Sequence, residues 1–236
     1  KTFSDIESWS AGLTMKWDIT DDLMLKSISG YRHVDGVFSQ DYDQTPLDIA
    51  NLPDDYFTKR QFTQELQLIG TALDDRLDYL VGLYYFQEKG QDIALIDFNL
   101  VLAQTGGYYD YHSWAAFGQT TFKITDQLSL TAGLRYTQDR KKFLPDQFVI
   151  DTPIPAFLDI PAGTRIVPFE TVRANVNKLT PMVNLAYQWT PDIMTYATFA
   201  QGFKGGGYTQ RIFPPEPSMP SFKPEKVNSY EVGVKM

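Results

Sequence analysis

The chain has 236 residues, with 29 acidic against 21 basic side chains and a net charge of -8. Phosphate backbones attract Lys/Arg clusters, so no nucleic-acid surface is expected; the largest basic run, Arg140-Lys141-Lys142, reads as a strand end beside a loop. Cysteine is absent, which excludes disulfide staples, thiolate metal sites and cysteine nucleophiles.

From Trp9 the side chains alternate. Trp9, Ala11, Leu13, Met15, Trp17 and Ile19 fall on one face, and Ser10, Gly12, Thr14, Lys16 and Asp18 on the other. Successive side chains of a strand point to opposite faces, so this is a strand with one apolar and one polar side. A turn over 20–22 sends the chain back through Leu23 to about Phe38, with Lys26 and Arg32 opposite Leu23, Leu25 and Tyr31. A polar loop is expected over 39–59, where Pro46 and Pro53 interrupt any ladder.

The next pair is Gln61 to Gly70 and Leu77 to Lys89, joined by a turn over 73–75; Thr63, Glu65 and Gln67 oppose Phe62, Leu66 and Leu68. A second loop is expected over 91–107. Ser113 to Phe143 then forms a hairpin about a turn over 125–127, with Leu128, Leu130, Ala132, Leu134 and Tyr136 on one face and Ser129, Thr131, Gly133, Arg135 and Thr137 on the other. The third loop, 144–177, holds five prolines, too many for a central strand. Lys178 to Trp189, a turn over 190–192, Ile193 to Lys204 and a Gly/Pro-rich loop over 205–224 follow, and Val227 opens a last strand. The alternation of Ile193 to Lys204 does not assign its faces.

Short Asp-bearing turns at one end and connections of about 15 to 30 residues at the other describe an all-β, antiparallel up-and-down meander with unlike ends. Strands of roughly 10 to 16 residues exceed the usual five or six. Outer-membrane barrels combine these features with an apolar outer band and aromatic girdles. The 14 Tyr, 16 Phe and 4 Trp supply girdle candidates near strand ends in Trp9, Trp17, Tyr31, Tyr79, Tyr187 and Trp189. No apolar run reaches the roughly 18 residues of a membrane-spanning helix. The opening KTFSDIESWS is polar and then strand-like, and reads as no signal peptide.

Six segments, taken together in order and spacing, resemble the barrel of TonB-dependent outer-membrane receptors. They are SISGYR (27–32), QFTQELQLIG (61–70), YLVGLYYFQE (79–88), SLTAGLRYTQDRKKF (129–143), YATFAQGFKGGGY (196–208) and FKPEKVNSYEVGVK (222–235). The resemblance implies a transmembrane β-barrel of 22 strands around an N-terminal plug, set in outer-membrane lipid of a Gram-negative bacterium. It also implies a TonB complex as energy source, engaged through an N-terminal region. The ligand it implies is scarce and large: most often a ferric siderophore, otherwise cobalamin, haem or an oligosaccharide. This chain shows about nine strands and neither plug nor TonB box, so it reads as an interior segment, a partial barrel.

Neither enzyme nor cofactor is expected. Gly202 and Gly205 to Gly207 lack the GK[ST] of a phosphate loop, and Asp41, Asp43 and Asp48 lack the glycine and closing Glu of a calcium loop. His33 and His112 have no partner at metal-ligand spacing, and no nucleophile elbow occurs. Candidate ligand contacts are the aromatics expected at the outer mouth: Tyr42, Tyr56, Phe57, Tyr108, Tyr109, Tyr111 and Phe213, whose rings pack flat on siderophore rings or sugars. Lys26, Arg32, Glu65, Lys123 and Arg135 are expected to face the lumen, where they guide an anionic chelate or bond the plug. Two other readings stand beside transport through a TonB-dependent receptor: a soluble all-β carbohydrate-binding module, and a passive porin.

Overall fold

A computed structural model describes residues 2–47, 49–154, 158 and 160–236. Among the described residues nine long strands pair in sequence order, each antiparallel to its neighbour: β1 (Phe3–Thr20), β2 (Leu23–Asp41), β3 (Asn51–Ala72), β4 (Leu77–Asp97), β5 (Leu102–Lys123), β6 (Leu128–Pro145), β8 (Val172–Thr190), β9 (Ile193–Lys204) and β12 (Glu225–Lys235). The short β7 (Phe148–Asp151) joins the same sheet through β5, and β10 (Gly207–Tyr208) with β11 (Ser221–Phe222) makes a separate ribbon. Among the described residues there is no helix.

β1 to β6 and β8 run 18 to 22 residues, longer than the sequence pattern suggests. A tilted strand crosses a bilayer with about 9–11 residues. These strands are therefore about twice as long as such a crossing needs.

The turns at the near end are held by side chains. Leu73, Asp74 and Asp75 take φ of 57°, 53° and 61° in succession. The Arg76 guanidinium next to them donates to the carbonyls of Lys123 (3.2 Å) and Ile124 (2.9 Å), tying two turns together.

All four of the expected loops are shorter or more ordered than the sequence indicates. β2 runs on to Asp41 and β3 already begins at Asn51. The segment 91–107 is not a loop: unbroken rungs from Gln91↔Tyr108 to Asp97↔Leu102 make it the top of the β4–β5 hairpin, which reverses over 98–101. Between β6 and β8 the chain carries β7, and between β9 and β12 it carries the β10–β11 ribbon.

Cross-strand partners share a face, so the register assigns every position. One face holds Leu13, Leu66, Val81, Leu83, Leu134, Val183 and Leu185, all exposed. In β9 the partners of Val183 and Leu185 are Phe199 and Ala197, which places these two on the same apolar side. This outward face carries aromatic contacts at one level, with Trp9–Tyr31 centroids 5.1 Å apart and Tyr85–Trp114 centroids 4.5 Å apart. Near the short turns Tyr187–Trp189 repeat the contact at 4.5 Å. Trp9 and Trp17 lie eight positions apart on β1, about 27 Å along the strand. With the tilt of a barrel strand that fits the ≈ 25 Å apolar band of an outer-membrane barrel.

The opposite, inner face is polar below and packed above. Its buried residues cluster where the connections beyond β6 and β9 fold back over the outer ends of β3 to β6. Val101, Ala103, Val149 and Ile166 make one cluster, Tyr109, Phe143, Val167 and Met219 a second, and Leu52, Ala94 and Ile96 a third.

Candidate ligand site at the outer mouth

The inner face at the outer end is where the buried clusters of the described residues lie. A cavity of about 300 Å³ opens there, walled by Tyr42, Phe98, Thr105, Ile166, Arg211 and Phe213. These come from four separate connections and one strand. Long-range packing assembles the site.

Arg211 and Asp55 set its electrostatics. Asp55 is 2% exposed, and the Arg211 guanidinium donates to its Oδ2 at 2.8 Å across 156 residues. Burial, helped by the nearby Asp92 charge, raises the Asp55 carboxyl to about 6, while Arg211 and Lys59 pull the other way. Cross-strand pairing sets Asp55, Ala94 and Thr105 in one row under the cavity. Among the described residues Asp55 Oδ1, Thr105 Oγ1, Tyr109 OH and Gln147 Oε1 are buried without a hydrogen-bond partner. Unmet buried polar groups cost about 1–3 kcal/mol each. The mouth therefore holds polar capacity that water or a ligand can satisfy.

The expected contact residues divide between the two faces. Tyr42 and Phe213 line the cavity. Phe57 lies on the inner face beside Phe38, ring centroids 6.3 Å apart, with Lys59 Nζ 5.5 Å from its ring. Tyr109 and Tyr111 also face inward, centroids 5.0 Å apart, but pack in the second buried cluster, and burial pushes the Tyr109 hydroxyl well above its usual range. Tyr56 and Tyr108 pair with Ile93 and Gln91 on the outward face, away from the cavity.

Lys26, Arg32, Glu65, Lys123 and Arg135 share the inner face by register. Arg135 lies over the rings of Phe117 (5.2 Å) and Tyr84 (5.4 Å), and Lys123 Nζ donates to the Asp75 carbonyl at 2.8 Å in the turn region. Neither reaches the mouth.

The remaining candidates have local roles. Asp43 accepts from the Ala50 (2.8 Å) and Ile49 (3.2 Å) amides and from the Thr45 hydroxyl, which together hold its carboxyl down to about 2. It closes its own loop. Asp48 lies outside the described residues. His33 bonds Asp35, and His112 sits between Tyr85 OH (3.2 Å) and Asp110 (2.7 Å), both on the outward face.

Sequence reasoning missed Arg211, Asp55 and Lys141. Lys141 Nζ donates to the Gly206 carbonyl at 2.9 Å and pins the β10–β11 ribbon over the mouth. No sequence signal links residues that far apart.

The family described as TonB dependent receptor-like, beta-barrel, matches residues 1–236. The chain belongs to this family. That membership sets aside the soluble carbohydrate-binding module. The pesticin receptor of Yersinia enterocolitica serotype O:8 is 22% identical over 218 residues, 92% of this chain and 29% of that protein. The ferric yersiniabactin uptake receptor FyuA of Yersinia pestis superposes with a TM-score of 0.80 at 20% identity, over 99% of this chain and 34% of that one. The ferric-catecholate import receptor Fiu of Escherichia coli K12, in its closed form, gives 0.68 at 13% identity, over 99% and 38%. The chain thus spans about a third of the length of these proteins, and at such identities the likeness to the solved structures is one of fold.

Proposed function

We propose that this chain forms part of the wall and outer mouth of an outer-membrane receptor that imports a ferric siderophore in a TonB-energised cycle. The observation that carries this reading is the mouth cavity, where Tyr42, Phe98 and Phe213 stand around Arg211, the one lining cation among the described residues. Ring faces suit the flat donor groups of an iron chelate, and a guanidinium suits its negative charge. The names of the neighbours point the same way, since FyuA and Fiu are ferric-chelate receptors. Capture at the mouth is the step these residues serve. Release inward belongs to the plug and the TonB complex.

The test uses the complete receptor in a Gram-negative host stripped of its own siderophore receptors. Uptake of iron-55 from a panel of ferric siderophores is measured with and without a functional TonB complex. One chelate is expected to enter, only when TonB works, with Arg211→Ala and Phe213→Ala each lowering uptake about tenfold. Uptake that ignores TonB would remove the energised cycle. Failure of every ferric chelate, with uptake of cobalamin, haem or an oligosaccharide, would replace the ligand class.

A further inference from the structure

The basic run at 140–142 is divided by the strand alternation: Lys141 turns inward to Gly206, while Arg140 and Lys142 stay on the outward face and are exposed. On β6 and β8 that face begins with five apolar rungs, Leu128↔Tyr187, Leu130↔Leu185, Ala132↔Val183, Leu134↔Pro181 and Tyr136↔Leu179. It then switches abruptly to Gln138↔Asn177, Arg140↔Asn175 and Lys142↔Arg173. The five apolar rungs cover about 27 Å of strand, so the switch falls where a tilted barrel strand leaves the hydrocarbon.

Lys142 and Arg173 face each other directly, an arrangement that is destabilising by itself. Asp110 flanks Lys142 on the other side, but its carboxylate lies beside Lys89 (3.5 Å) and His112 (2.7 Å) and makes no ion pair with Lys142. Among the described residues Arg140, Lys142 and Arg173 make no ion pair, and the flanking amides of Gln138, Asn175 and Asn177 make no side-chain hydrogen bond. These six residues, with Lys141 between Arg140 and Lys142, line a groove of about 370 Å³. The same level continues around the sheet as Arg60↔Lys89, just above the Phe62–Tyr85–Trp114 aromatics.

We propose that this groove is a binding site for the phosphate groups of a phosphorylated glycolipid of the outer leaflet, of the lipid A type. Three cations and three amides at one level match a doubly phosphorylated sugar headgroup, and the five apolar rungs beneath match its acyl chains. Charge complementarity and depth select this occupant: the groove faces lipid, so a soluble anion would have to reach it from the side. The inference rests on the outer-membrane reading above.

The complete receptor is first checked for a heat-modifiable band in isolated outer membranes. Purified, delipidated receptor is then mixed with bisphosphorylated lipid A, with lipid A freed of both phosphates, or with inorganic phosphate, and bound species are counted by native mass spectrometry. Bisphosphorylated lipid A is expected to bind at least tenfold more tightly than the dephosphorylated form, and millimolar phosphate not to displace it. The variant Arg140→Gln/Lys142→Gln/Arg173→Gln should lose that preference, while Lys142→Arg and the inner-face Lys16→Gln keep it. Equal binding of the two lipid A forms by the unaltered receptor overturns the proposal, whether or not the triple variant folds. So does a heat-modifiable triple variant that retains the preference, or displacement by inorganic phosphate. An unaltered receptor without a heat-modifiable band overturns the outer-membrane reading and this proposal with it.

Discussion

Asp55 carries a carboxyl whose ordinary pKa near 4 is raised to about 6 in the folded mouth, chiefly by burial. Between those values the folded state holds a proton that the unfolded state has released. Stability from this group is therefore complete below about pH 4 and declines as pH rises through about 6, by on the order of 2 kcal/mol. Above that range it no longer changes. Asp55→Asn removes the titration while keeping an acceptor for Arg211. Hydrogen exchange of the 205–224 amides at pH 4, 5, 6 and 7, corrected for intrinsic rate, should show protection falling toward pH 7 in the native receptor. The Asn variant should show a flat profile, and a native profile that is flat too would mean Asp55 is solvated. Another residue-scale constraint is Gly106, at φ of 98°, where an added Cβ would meet the Asp92 carbonyl oxygen at 1.9 Å. Only glycine fits there.

For a strand, the alternation makes a direct prediction about which face meets lipid. Leu83 and Leu134 are 58% and 50% exposed on the apolar side, whereas Thr131 lies inward, its hydroxyl 2.9 Å from that of Thr121. Leu83→Arg and Leu134→Arg should each lower barrel stability by about 2–4 kcal/mol if near mid-depth, and Thr131→Arg by much less. The fraction of heat-modifiable receptor in outer membranes reads this out, and equal losses in all three would invert the face assignment.

Such strands were legible because each showed one polar and one apolar side. The outer parts were not, for the opposite reason. In β4, Ile93 and Leu95 face outward while Ala94 and Ile96 are buried inward, so both faces are apolar and no alternation remains to read. Near Pro53 the β3–β4 register shifts between Asn51 and Asp55, and a bulge of that kind lets a strand contain a proline that reads as a breaker. Of the mouth, Tyr42 and Phe213 were readable as loop aromatics. Arg211, opposite an acid 156 positions away, was not, because only the folded chain creates that pair.

Across the whole molecule, wall and mouth are stabilised by different means. The wall is a ladder: β6 and β8 pair without interruption from Leu128↔Tyr187 to Phe143↔Val172, and the backbone hydrogen bonds that close alternate rungs do not involve the loops. The mouth is a small core laid on that ladder. Val149, Ile166 and Val167 are at most 1% exposed, and Arg165 donates to Asp146 at 2.6 Å. All of these lie beyond the last rung. Replacing 146–171 with a short Gly/Ser turn therefore joins two strand ends that are already paired, with a small loop-closure cost. It also uncovers Ala103, Tyr109 and Phe143 and removes the Ile166 wall of the cavity. The shortened receptor should insert and run as a heat-modifiable band in near-normal amount, yet lose most ligand uptake. If the folded band disappears instead, the loop core is part of what holds the wall together, and the division between ladder and mouth is wrong.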